Sequence, residues 1–346
     1  MSVRADPFLR LRSLLSIGKS SRRDVICGIV SVAVSTHVST ADAQSALPVI
    51  GFLNGRSPDE AAAVVAAFRE GLGQSGYYEG RNVLIDFRWA EGNYERLPAL
   101  ARELVERKVA AIAATGGYVS ALAAKQATTS IPIVFTSGGD ALRLELVKTL
   151  NRPEANVTGI NLFFGALGSK QIELLRLMVP RADDIAMLVN PANPTTDSDV
   201  AEVKQSARAI GINLHIRPAS TPDEIDVMLN DLAARGIDGA LVGDDPFLLS
   251  RREQIVASFT TQRIPAIYFA REFVLAGGLM SYGASLVSAY RQAGLYVGAL
   301  LKGSGPSDLP VVQPTAIALT VNLRAARAIG LTVPVSVLVA ADEVIE

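Results

Sequence analysis

Short apolar, β-branched runs alternate with amphipathic stretches along most of this chain, and the whole alternation occurs twice. Residues 49–54, 83–89, 110–115 and 131–135 read as buried strands, separated by helices expected over 58–74, 94–107 and 118–127. In the first of these helices Val64, Val65, Phe68 and Leu72 fall on one stripe, while 49–54 is an apolar run of the kind a buried strand shows. The pattern restarts near residue 184, with strands expected over 185–190, 213–217, 239–243 and 265–269 and helices over 196–210, 222–235 and 246–262. Asn54 and Asn190 end the first strand of each half, 136 residues apart. Pro132 and Pro265 stand at the start of each fourth strand, 133 residues apart. Strand–helix–strand units build parallel sheets, and a repeat of this length fixes the architecture. The expected fold is therefore α/β: two doubly wound parallel-sheet lobes joined by a hinge.

The expected lobe boundaries are 46–158 plus about 278–310 for lobe 1, and 159–275 plus part of 311–346 for lobe 2. Residues 152–161 contain Pro, Asn and Gly and read as a crossover. Beyond the second repeat, strands are expected over 277–283 and 315–321 and helices over 290–301 and 323–329. A chain that crosses between lobes more than once leaves a cleft faced by strand C-termini, a natural small-molecule site.

The first 43 residues belong to neither repeat. Arg22-Arg23 precedes the apolar run 25–35, and Ala41-Asp42-Ala43 follows it. This is the order of a signal peptide: a basic segment, a short apolar segment, then a small-x-small cleavage site. A membrane span needs about 20 apolar residues, and this run is roughly half that. Residues 1–43 are thus expected to be an export signal cleaved after Ala43, with the mature protein in the periplasm. Ser21-Arg22-Arg23-x-x-Ile26 resembles a twin-arginine address; general secretion is the other route.

The full chain carries 33 basic and 34 acidic residues. The leader holds six basic and three acidic ones, so the mature part carries 27 against 31, a net −4. Nucleic acid and anionic membrane have no electrostatic claim on such a surface. The one cysteine, Cys27, and one of the two histidines, His37, lie in the leader, leaving His215 alone. A Cys/His zinc site is excluded and a histidine-based triad has little to draw on. No cofactor or metal is expected.

Gly71-Leu72-Gly73-Gln74-Ser75-Gly76 matches a dinucleotide fingerprint letter for letter. That motif must follow a strand and open a helix, and this copy closes one, so its glycines read as a helix C-terminus. The candidate ligand-binding residues lie instead at strand ends: Asn54, Ser57, Gly116, Gly117, Tyr118, Thr136 and Ser137 in the first half, and Asn190, Asp244 and Tyr268 in the second. Glycine- and hydroxyl-bearing loops expose N–H groups that hold a carboxylate. Asp244-Asp245-Pro246 has the form of a helix cap, yet Asp244 also stands at a strand C-terminus, where it would pair with an ammonium group. Tyr118 and Tyr268 would flank an apolar or aromatic side chain.

Several segments resemble the exported substrate-binding proteins of ABC transporters of the tryptophan/tyrosine-type group. They include Pro48-Val49-Ile50-Gly51-Phe52-Leu53-Asn54, Leu188-Val189-Asn190-Pro191-Ala192-Asn193-Pro194, Ile264-Pro265-Ala266-Ile267-Tyr268 and Gly277-Gly278-Leu279-Met280-Ser281-Tyr282-Gly283. The resemblance runs through nearly the whole mature chain. It implies a type I periplasmic-binding-protein fold, a monomer, capture of an amino acid or related carboxylate between the lobes, and delivery to an ABC permease in the inner membrane. The alternative is an enzyme on a similar two-lobed scaffold, racemase- or hydrolase-like, which needs a Cys pair, a metal cluster or an activated nucleophile.

Overall fold

The computed structural model describes residues 47–314 and 316–346, with the side chains of 165, 166 and 233 left aside. The expected signal peptide, its twin-arginine pair and the cleavage after Ala43 lie outside the described residues. Two sheets form. The first contains β1 (Val49–Asn54), β2 (Leu84–Trp89), β3 (Ala111–Ala114), β4 (Ile133–Ser137) and β5 (Val157–Asn161), in the order β2-β1-β3-β4-β5 and parallel throughout. The second contains β6 (Asp184–Val189), β7 (Asn213–Pro218), β8 (Gly239–Val242), β9 (Ala266–Tyr268), β10 (Met280–Ala284), β11 (Ile317–Asn322) and β12 (Glu343–Ile345). Its order is β12-β11-β10-β9-β8-β6-β7. Read from β7, the strands β7-β6-β8-β9-β10 repeat the order of the first sheet, so the internal repeat seen in the sequence is one topology built twice. The single antiparallel pair, β10 with β11, extends the second sheet beyond it.

The chain passes between lobes three times. It leaves the first sheet after β5 and enters the helix Phe164–Met178, which packs on β8, β9 and β10. It returns at Ser285, where the helix Leu286–Leu301 packs against the helix Ala62–Gln74 and the first sheet. After Val312, which pairs with Ile160 beside β5, it crosses again to form β11. Two boundaries therefore differ from expectation. The strand in 278–310 pairs with β9 and belongs to the second sheet; the helix after Ser285 and the segment that follows it to Val312 join the first lobe. Residues 157–161, expected within the crossover, are a full edge strand of the first sheet. Both differences have one cause: the sheet a short strand joins is decided by partners elsewhere in the chain, β4 for residues 157–161 and β9 and β11 for residues 280–284.

The returning helix is held by close approach. A Cβ on Gly71 would overlap the Arg291 carbonyl, and one on Gly294 would overlap that of Phe68. Gly71 of the apparent dinucleotide motif and Gly294 of the facing helix thus let the two helices cross backbone to backbone. The same helix buries Ala289, Tyr290, Ala293, Tyr296, Val297 and Leu300 at helical spacing. Among the described residues no helix is long and apolar enough to cross a membrane.

Candidate functional site

Both lobes present the loops after their first and third strands to the same cleft, because these strands flank the point where strand order reverses. Asn54 and Asn190 do equivalent work there. Asn54 Oδ1 accepts from the Arg56 amide at 2.9 Å, and its Nδ2 donates to Thr115 at the end of β3 and to Tyr290. Asn190 Oδ1 accepts from the Ala192 amide at 3.0 Å, and its Nδ2 donates to Asp245 after β8. Each asparagine turns its own strand end and ties it to the neighbouring one.

A narrow cavity of about 40 Å³ lies between the lobes. From the first lobe it is lined by Arg56, Gly116, Gly117, Thr136 and Gly138, and from the second by Asp244, Pro246, Leu249 and Phe269. The crossovers add Leu162, Phe164, Leu286 and Tyr290. Phe163, just before Phe164, holds a left-handed φ of 52°, which no apolar side chain adopts cheaply. That strained turn starts the second-lobe helix with the Phe164 ring already facing the cavity.

Of the expected site residues, Gly116, Gly117, Thr136 and Asp244 line this cavity. The others do not. Asn54 and Asn190 hold the loops as described. Ser57 donates its amide to Glu60 outside the cavity, and Tyr118 points its hydroxyl at the Leu144 carbonyl. Ser137 is buried with its hydroxyl unpartnered. Tyr268 is a core residue, fully buried and stacked on Phe273 with ring centroids 4.6 Å apart. Its neighbour Phe269 takes the wall position instead. A strand buried on both faces gives no polar alternation from which to tell its last residue from the one that follows it. Arg56, which stands in the strand-end loop between Asn54 and Ser57, also lines the cavity, as do Phe164 and Tyr290, to which strand-end reasoning does not point. Tyr290 arrives from a distant helix that no local pattern connects to the cleft.

Asp244 and Asp245 are adjacent carboxylates in opposite circumstances. Asp245 accepts from the Leu248 amide, Asn190, Asn193 and the Tyr94 hydroxyl, which caps the following helix and satisfies both oxygens. Burial pushes its pKa up to about 6 against the lowering effect of those donors. The Asp244 carboxylate has no hydrogen-bond donor among the described residues and keeps part of its surface open to the cavity. Burial, then the charges of Asp199 and Asp245, push its pKa well above the carboxylate range. Asp199 is itself raised to about 6, by burial first and by Glu202. On the facing lobe, Arg56 is buried with its guanidinium against Tyr290, donating to the hydroxyl at 3.4 Å. Among the described residues no carboxylate lies in ion-pair reach of it.

The lobes meet in a closed arrangement. Pro246 packs on Gly117, whose φ of 83° suits glycine alone, and Asp244 rests against Gly138. Tyr94, from the first lobe, donates to Asp245 Oδ2 at 2.8 Å and accepts from the Phe247 amide at 2.9 Å. Arg143 reaches Glu202 across the cleft at 2.9 Å. The Arg143–Glu202 pair is exposed and contributes little, whereas Tyr94 joins two buried partners. Tyr94→Phe removes that latch without touching the cavity lining. Ligand affinity measured by calorimetry should fall about fivefold to thirtyfold, the equivalent of about 1–2 kcal/mol for a lost buried hydrogen bond. Unchanged affinity would mean that Tyr94 does not help hold the lobes together.

A family model described as ABC transporter substrate binding protein matches residues 46–345. The chain belongs to this family of ABC transporter substrate-binding proteins. It is 26% identical over 255 residues to a tyrosine-binding protein of Clostridioides difficile strain R20291, covering 74% of this chain and 73% of that one. Among solved structures, an ABC domain in complex with L-Trp from Streptococcus pneumoniae aligns with a TM-score of 0.78 at 25% identity, covering 86% of this chain and 100% of that chain. A ligand-free, open substrate-binding protein with adhesive properties from Clostridium difficile aligns with a TM-score of only 0.61 at 26% identity, over 86% and 99% of the two chains. This binding protein superposes on the complexed form better than on the open one, in keeping with the contacts across its cleft. The periplasmic-binding-protein fold expected from the sequence is the fold observed.

Proposed function

We propose that this binding protein captures an α-amino acid zwitterion between its lobes and passes it to the membrane permease of an ABC importer. One observation carries the reading. Arg56 on one lobe and the Asp244 carboxyl on the other line the same cavity, and neither has an ion-pair partner among the described residues. A ligand carboxylate on Arg56 and a ligand ammonium on Asp244 would satisfy both and draw the lobes together, since isolated buried charges are costly and paired ones are not. The tyrosine and L-Trp named for the two relatives support the same class. The three crossovers would act as the hinge.

The polar groups of the cavity wall are Arg56, Thr115, Thr136, Asp244 and Tyr290, a set suited to holding a zwitterion. His215 lies on β7 and pairs with Asp184 at 2.6 Å, on a strand that contributes nothing to the cavity. The protein acts as a monomer in the periplasm after cleavage following Ala43.

A thermal-shift screen of amino acids on the mature protein tests the reading. A ligand at 100 times its Kd adds roughly 2.7 kcal/mol of stability, a rise of several degrees. No shift with any amino acid would reject the assignment. N-terminal sequencing of the exported protein should begin at Gln44, and an intact leader in a cytoplasmic fraction would reject the localisation.

A further inference from the structure

One hydroxyl ties together the polar part of the cavity that the first lobe builds. Tyr290 is buried and comes from the helix that packs against Ala62–Gln74 and the first sheet. Its hydroxyl donates to the Thr115 carbonyl, just after β3. It accepts from Asn54 Nδ2 at 3.0 Å and from Arg56 Nη2 at 3.4 Å, both from the end of β1 and its loop. One donated and two accepted bonds exhaust a hydroxyl, so this one has nothing left for a ligand. Its ring lies 5.9 Å from the Arg56 guanidinium carbon, within cation–π range. Among the described residues the Arg56 guanidinium makes one hydrogen bond, to that hydroxyl. A long side chain without such a hold would spread over many rotamers. Here hydroxyl and ring fix it, and its other N–H groups stay free at the cavity wall. Asn54, Arg56, Thr115 and Tyr290 all belong to the first lobe, so the arrangement needs no contact from Asp244.

We infer that Tyr290 is a positioning residue for carboxylate recognition: it orients the Arg56 guanidinium and so sets a preference for a free α-carboxylate over an uncharged carboxyl derivative. The inference rests on the amino-acid reading of the same cavity. An arginine–carboxylate pair depends on the direction of a planar fork as well as on charge. Tyr290 gives that direction without spending a hydrogen bond on the ligand.

Tyr290→Phe tests it. The Thr115 carbonyl keeps the Thr136 hydroxyl at 2.8 Å, and Asn54 Nδ2 keeps Thr115 Oγ1 at 3.4 Å, so the variant leaves neither group unpaired. The mature protein is titrated calorimetrically with alanine, leucine, tyrosine and tryptophan, each beside its carboxamide, and weak amides are measured by competition. Wild type should bind at least one acid about tenfold or more tightly than its amide, the worth of one charge-assisted hydrogen bond. Tyr290→Phe should weaken that acid about tenfold and leave its amide within about twofold. Equal losses for acid and amide, or no loss for either, overturn the inference and leave the amino-acid reading standing. A wild type that binds acid and amide alike, or binds none of the panel, removes that reading and the inference together. Arg56→Lys gives the same readout should the first variant fail to fold. Lysine keeps the charge but not the fork that Tyr290 orients, and should narrow the acid-over-amide preference about fivefold or more; an unaltered preference overturns the inference.

Discussion

Replacing Asp244 with asparagine should weaken amino-acid binding and, at neutral pH, stabilise the ligand-free protein. The affinity loss follows from removing a charge-assisted bond to the ligand ammonium, worth about 1.5–3 kcal/mol, or roughly ten- to 150-fold in Kd. The stability gain follows from the ligand-free state, where Asp244 has no donor and sits close to Asp199 and Asp245. A buried carboxylate with a raised pKa holds its proton in the folded protein at pH values where the unfolded chain has already lost it. Folded protein then binds more protons than unfolded, and stability falls as pH rises from the unfolded value of 3.8 upward. For Asp199 and Asp245 that loss is complete once pH passes about 6; for Asp244 it continues further. The variant lacks the Asp244 part, so the difference in melting temperature between the two proteins should widen from pH 4 towards neutrality. Carboxylates with lowered pKa values, such as Glu343, act in the opposite direction but equally in both proteins. Equal affinity in wild type and variant would take Asp244 out of the site. A melting-temperature difference independent of pH would show that the carboxylate is not destabilising in the closed form.

Gly138→Ala should uncouple folding from closure. Gly138 lies in the loop after β4 and has no left-handed φ, so alanine suits its backbone. Its Cβ would nevertheless overlap Asp244 Oδ2 and press on Phe164, both of which meet it across the cleft. Each lobe keeps its own core while the closed arrangement becomes unreachable without displacing Asp244. Affinity should fall by about 100-fold or more, a cost of roughly 3 kcal/mol, within the range of a severe steric insertion. Circular dichroism should be unaltered, and small-angle scattering should report an open particle with and without ligand. Scattering that still shows compaction on ligand addition, with affinity near that of wild type, would mean that the lobes close along another path.

The repeated alternation of apolar runs and amphipathic stretches suffices to specify two α/β lobes. Strand–helix periodicity is local, and parallel pairing follows from it once each helix must cover a sheet face. By the same logic Gly71-Leu72-Gly73 ends a helix and grips no phosphate, because position relative to the strand decides a glycine motif. The strand-end rule also brings Gly116, Gly117, Thr136 and Asp244 to the cleft, since strand C-termini gather there in any doubly wound sheet. What the local pattern lacks is direction and long-range closure. Tyr268 ends a strand buried on both faces and Phe269 follows it directly, and nothing in their composition says which one faces the core. Met280–Ala284 and Val157–Asn161 are short mixed segments whose sheet is decided by a partner strand elsewhere in the chain. Tyr290, Tyr94 and the free charge of Arg56 acquire meaning only when segments more than 100 residues apart meet. Local periodicity thus dictates the folding units and the rims of the site. Which side chains the cavity leaves unpaired is settled by tertiary packing, because an unpaired charge is defined by what every other part of the chain fails to bring near it.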